Sequence, residues 1–96
     1  MERFDLFEFE PGQGHWSPTA DGYEFAGIGV SGPVQFVITA GALGDLLTSG
    51  GETVDEELGM AIFAKFEDDI FRIAQREARK RGTKQERVVL MREDMA

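Results

Sequence analysis

The sequence predicts an α+β fold: a small antiparallel sheet of about four strands packed against one long and one short helix, with residues 1–96 as a single domain. Three observations carry this reading. The runs "YEFAGIGV" and "VQFVIT" alternate apolar residues around Ser31, Gly32 and Pro33, a pattern that predicts a β-hairpin. Residues 54–81 carry apolar groups at helical spacing between acidic residues at the start and basic residues at the end. "RVVLM", residues 87–91, is a β-branched run that predicts a final strand.

Along the chain, "FDLFEF", residues 4–9, is rich in strand formers, with its alternation slipping between Leu6 and Phe7, and predicts a short strand. "EPGQGHWSPTADG", residues 10–22, is dense in Gly, Pro, Ser and Asp and predicts a loop, with Trp16 folding back onto the core. After the hairpin, Thr39 stands as an N-cap before "AGALGDLL", where Leu43, Leu46 and Leu47 fall at helical spacing and predict the short helix. "TSGG", residues 48–51, ends it.

Thr53 and Glu56 form a T-x-x-E capping box at the start of the long helix, and Gly82 supplies its stop. At 100° per residue, Ile62, Phe63, Ile70, Ile73 and Ala74 lie within about 80° of Phe66, which makes a core face. Met60, Ala64, Phe71 and Ala78 lie about 120° to 160° away, a second face to be covered by the domain itself or by a partner. A straight helix over 54–81 would be ~42 Å long, so it should overhang its sheet or break near Gly59.

Charge is unevenly distributed. Residues 1–69 carry fourteen acids against Arg3 and Lys65, a net of −12, while residues 70–96 carry a net of +4, and the whole chain −8. The acidic part should keep off nucleic acid and anionic membranes, and the basic part suits an acidic partner. The chain has no Cys, which removes disulfides, thiolate metal sites and thiol nucleophiles. "MERFDLFEFE" lacks the basic start and apolar stretch of a signal peptide, and no apolar run approaches the ~20 residues of a membrane span. A cytoplasmic location away from the membrane is the expectation.

The candidate sites are few. Gly27, Gly29 and Gly32 have the spacing G-x-G-x-x-G of a dinucleotide loop. That motif works by opening a helix whose N–H groups receive the pyrophosphate. Here Pro33, Val34, Phe36 and Ile38 continue as a strand, so no cofactor is expected; Gly32 should make a turn, and Gly27 and Gly29 a bulge or a close approach of another backbone. His15 is the single histidine, beside Trp16, and an enzyme using His15 with carboxylates is the least favoured reading. Ser17, Ser31 and Ser49 read as turn residues and not nucleophiles. Glu67, Asp68 and Asp69 are consecutive on a helix, point ~100° apart and cannot converge on one metal ion. No catalytic or metal-ligating residue is therefore assigned.

The order of these features, with Trp16 in a loop, Phe25 on a strand, Gly32 at a tight turn, "VQFVIT" running into "AGAL", a long helix carrying "IFRIA" and then "RVVL", resembles the small bacterial family named domain of unknown function 1488. The resemblance implies one antiparallel sheet backed by helices, and no activity or catalytic residue. "SGGETVDE" is longer than the spacing that the resemblance implies.

The functional expectation is a non-enzymatic interaction module acting through a surface. Met60, Ala64, Phe71 and Ala78 are the candidate interaction surface, with a homodimer formed through the long helix, Asp55, Glu56 and Glu57 of one copy near Arg79, Lys80 and Arg81 of the other. Arg76, Arg79, Lys80, Arg81, Lys84 and Arg87 are the candidate basic patch, whose alternative use is weak contact with nucleic acid.

Overall fold

The computed structural model describes residues 7–10, 12–29, 32–47, 54–81 and 87–95. Five strands form one sheet: β1 (Glu8–Phe9), β2 (His15–Ser17), β3 (Gly22–Gly29), β4 (Gly32–Thr39) and β5 (Arg87–Leu90). Helices α1 (Ala40–Gly44), α2 (Glu56–Lys65) and α3 (Glu67–Arg81) lie between β4 and β5, and a 3₁₀ turn (Arg92–Met95) follows β5. The hairpin is the spine. β3 and β4 pair antiparallel without interruption from Gly22 opposite Thr39 to Gly29 opposite Gly32. β1 and β2 share the outer edge of β3, at its two ends, and β5 lines the other side of β4.

The sheet departs from the sequence reading in three ways. It is mixed and not antiparallel, because β5 runs parallel to β4; a parallel neighbour needs a long crossover, which the three helices supply. The predicted loop 10–22 contains β2, a strand of three residues, too short for its alternation of His15 and Ser17 outward with Trp16 inward to register as a pattern. No bulge interrupts β3. A Cβ on Gly27 would come within 2.6 Å of the Phe9 ring and one on Gly29 within 2.6 Å of the Phe7 ring, so these glycines leave room for aromatic side chains. Gly32 and Pro33 already belong to β4, Gly32 with φ 114° in the region that favours glycine. The residues between the paired Gly29 and Gly32, Val30 and Ser31, lie outside the described residues.

One face of the sheet is covered by the helices; the other faces away from them, although Val37 on it is only 1% exposed. Tyr23, Phe25, Val34, Phe36, Ile38, Val88 and Leu90 point from alternate positions into one core with Ala42, Leu43, Ile62, Phe63, Ile70, Ala74 and Ala78 of the helices. Aromatic contacts dominate it. Tyr23 stacks on Phe63 with ring centroids 4.0 Å apart, Phe25 on Phe36 at 5.4 Å and Phe9 on Phe71 at 4.8 Å. Such pairs contribute about 0.5–1.5 kcal/mol beyond their burial.

Thr39 caps α1 as expected, its hydroxyl accepting from the Ala42 N–H at 3.2 Å. The long helix is not continuous. Thr53 lies outside the described residues; the N-cap is Asp55, whose carboxylate accepts from the Leu58 N–H at 2.9 Å. Phe66, with φ −108° and ψ 23°, then leaves helical geometry for one residue, so the break falls there and not near Gly59. The Phe66 N–H still donates to Ile62 O at 2.9 Å, and its carbonyl accepts from Ile70 N at 2.8 Å. The chain thus departs from helical angles without orphaning its backbone groups, and the buried positions of α3 fall out of phase with those of α2.

The first described strands tie the two helices down. The Phe7 N–H donates to Gln75 Oε1 of α3 at 2.7 Å, and the Gly12 N–H to Glu67 Oε2 at 2.9 Å. Trp16 folds onto α2 as predicted, over Gly59, where a Cβ would stand 2.4 Å from Cζ3 of the indole. Burial pushes the Tyr23 phenol above its ordinary value, the Glu67 carboxylate adds to the rise, and the Gly14 backbone opposes it.

Three outcomes follow from this packing. Ile70→Ala should cost roughly 2–5 kcal/mol in denaturant unfolding, more than Phe66→Ala or Ile73→Ala, because Ile70 is fully buried and those two only partly. Gly59→Ala should destabilise, although alanine is ordinarily better in a helix by about 1 kcal/mol, because its methyl meets Trp16; combining it with Trp16→Ala should restore the ordinary gain. A phenol whose folded pKa is raised stabilises the fold below the unfolded value, and that contribution is lost as pH rises through the folded value. Tyr23 is the chain's single tyrosine. Its ultraviolet titration should therefore show one late, raised step, accompanied by destabilisation that Tyr23→Phe removes.

Candidate functional site

On α3, Arg72, Gln75, Arg76, Arg79 and Lys80 follow one another at i, i+3, i+4, i+7 and i+8, the spacing that places side chains on one helical face. Ile70, Ala74 and Ala78 hold the opposite face in the core. Among the described residues, these five line a groove of about 620 Å³. Four of the five are cations and the fifth is an amide, on a chain whose net charge is −8.

The cations are held from below and from one side. Glu77, only 2% exposed, places Oε2 at 3.2 Å from Nε of Arg76 and 3.5 Å from Nζ of Lys80. Arg76 also donates to the backbone carbonyl of Asp94 in the 3₁₀ turn. Arg72 bonds Asp69 one turn earlier at 2.9 Å. A buried carboxylate under two cations fixes where their charge stands: the Arg76 and Lys80 side chains above it are 46% and 67% exposed. Gln75 is anchored by the Phe7 N–H. Groups already ordered by such partners lose less conformational freedom when a ligand arrives.

The predicted basic patch therefore divides. Arg76, Arg79 and Lys80 meet in the groove, and Arg81 ends α3. Lys84 lies outside the described residues. Arg87 belongs elsewhere: it starts β5 and reaches Glu24 on the sheet face away from the helices, Nη2 to Oε2 3.8 Å. Arg72 and Gln75 belong to the groove by helical period and not by the run of charge at the helix end, and that period is present in the sequence.

The predicted surface of Met60, Ala64, Phe71 and Ala78 is not one surface. Met60 and Ala64 are exposed on α2, but Phe71 packs inside its own chain against Phe9, Phe25 and Phe63, and Ala78 is 1% exposed. The wheel assumed one helix; the break at Phe66 turns the later positions inward. A homodimer built on Phe71 loses its anchor.

His15 does have a carboxylate beside it. Its Nε2 is 3.2 Å from Glu24 Oε1, which also accepts from Gln35 Nε2 at 3.2 Å. The imidazole is 66% exposed, however, on the sheet face away from the helices, so water and not a pocket wall surrounds it. Ser17 accepts from the Ala20 N–H and serves its turn, and Ser31 and Ser49 lie outside the described residues. Glu67, Asp68 and Asp69 part as their spacing requires: Glu67 holds Gly12, Asp69 holds Arg72, and Asp68 is exposed. Among the described residues, no group of three or more His, Asp or Glu stands together as a metal site, and no helix is long and apolar enough to cross a membrane.

No protein-family model matches the sequence, and no curated protein does. The fold is similar to the crystal structure of a protein of unknown function from the DUF1488 family of Shewanella loihica PV-4, with a TM-score of 0.72 over 94% of each chain at 16% identity. This likeness in three dimensions falls on the same family that the order of residues resembles.

Proposed function

We propose that this chain is a non-enzymatic protein-interaction module whose working surface is the α3 groove, and that the groove takes an acidic segment of protein. The observation that carries the reading is the lining itself: four cations and an amide, with no nucleophile or general base among them, two of the cations seated on a buried carboxylate. Cations on the rim of a groove attract and orient an acidic ligand, while their aliphatic stems offer apolar contact along its length. Nucleic acid suits the groove less well. It would carry phosphate charge beyond the groove onto a chain with a net charge of −8, and among the described residues no aromatic ring lines the groove for a base to stack on.

Fluorescence anisotropy with a short labelled peptide rich in Glu and Ala tests this. Binding should weaken as salt rises, and Arg76→Ala with Arg79→Ala should weaken it several-fold, on the order of 1 kcal/mol for two exposed pairs. Unchanged affinity in the double variant, or tighter binding of a single-stranded oligonucleotide of equal charge, would overturn the proposal.

A further inference from the structure

The face of α2 turned to solvent repeats the spacing of the groove. Glu57, Met60, Ala61, Ala64 and Lys65 are all exposed and stand at i, i+3, i+4, i+7 and i+8, the same offsets as Arg72, Gln75, Arg76, Arg79 and Lys80. Each stripe is ~12 Å long. Their characters are complementary. The α2 stripe begins with acids, Glu57 with Glu56 and the capping Asp55 beside it; its middle is small and apolar; it ends with Lys65. The α3 stripe ends with Arg79 and Lys80 and is preceded, one turn before Arg72, by the exposed acids Asp68 and Asp69.

We infer that the occupant of the groove is α2 of a second copy of this chain, lying antiparallel to α3. This rests on the reading of the groove as a protein-docking site. In that orientation Glu56 and Glu57 of one copy meet Arg79 and Lys80 of the other, and Lys65 falls opposite Arg72, whose charge Asp69 neutralises at 2.9 Å, with Asp68 beside it, so the net charges are opposite at both ends of the contact. Ala61 and Ala64 let the long side chains of Arg72 and Arg76 lie close across α2. Met60, 44% exposed in the single chain, gains cover. In the parallel orientation Lys65 would face Arg79 and Lys80, and the acids of α2 would face Arg72 with Asp68 and Asp69, a group whose net charge is negative. The charge pattern therefore sets the direction as well as the partner. Each copy holds both faces, so a two-fold axis would repeat the contact, α2 on α3 and α3 on α2.

Sedimentation equilibrium on charge-swapped variants tests this. The wild type should associate, and do so less at high salt. Glu56→Lys with Glu57→Lys should abolish association, as should Arg79→Glu with Lys80→Glu, each variant keeping its circular dichroism spectrum. Mixing the two should restore association between them, because every contact broken in one is rebuilt against the other, and a misfolded variant could not give that rescue. A wild type that stays monomeric at high micromolar concentration overturns the inference, as does association indifferent to both swaps or a mixture without rescue. If the acidic peptide still binds in the Arg76- and Arg79-dependent way while the copies stay apart, the groove's proposed role stands and this occupant alone is wrong. If neither binds, both fall.

Discussion

Phe66 is where the helical half of the molecule is decided. An unbroken helix from 54 to 81 would be ~42 Å long, equal to the whole long dimension of the molecule, 40 Å, and much longer than either other dimension. By leaving helical geometry for one residue while keeping its N–H and C=O bonded, Phe66 lets α2 and α3 each meet the sheet along its own line. Phe63 on one side of the break reaches Tyr23, and Phe71 on the other reaches Phe9 and Phe25. The Glu67 carboxylate beside the break holds Gly12, which fastens the strand edge across it. The phase of α3, and with it the side on which Arg72, Arg76, Arg79 and Lys80 stand, follows from this one change of backbone angle.

What the sequence showed follows from how local each signal is. The hairpin was legible because Tyr23, Phe25, Val34, Phe36 and Ile38 alternate over eight-residue strands, and α1 because Thr39 caps it. The mixed character of the sheet was not, since the composition of "RVVL" is the same for a parallel and an antiparallel neighbour and only the path of the crossover decides. β2 escaped notice because three residues are too few to display a period. The helix break escaped because Phe66 is neither Gly nor Pro; what displaces it is the demand of both flanking apolar faces to reach one sheet, a tertiary cause that no local window contains.

The groove was half legible. Arg76, Arg79 and Lys80 stood out as a run of charge, while Arg72 and Gln75 belong to it only by helical period, and Arg87, close in sequence to that run, was carried off by β5 to the opposite face. The wheel argument for Phe71 and Ala78 failed for the reason just given: it measured angles across a break. Met60 and Ala64, which precede the break, kept the exposure the same wheel assigned them. A helical wheel is as good as the continuity of the helix it is drawn on.

The parallel pair of β4 and β5 also bears on how the chain acquires this shape. Gln35 pairs with Arg87, 52 positions later, whereas β3 and β4 pair with neighbours joined by a tight connection. Closing the larger loop carries more chain entropy before any contact rewards it, so the hairpin and helices can organise well ahead of that edge. In the interval β4 presents an unpaired backbone flanked by Phe36, Val37 and Ile38, a template for another nascent chain as much as for β5. During synthesis that interval lasts until residue 90 has left the ribosome. A strand of four residues is thus the one that ends the exposure of that edge to misassembly.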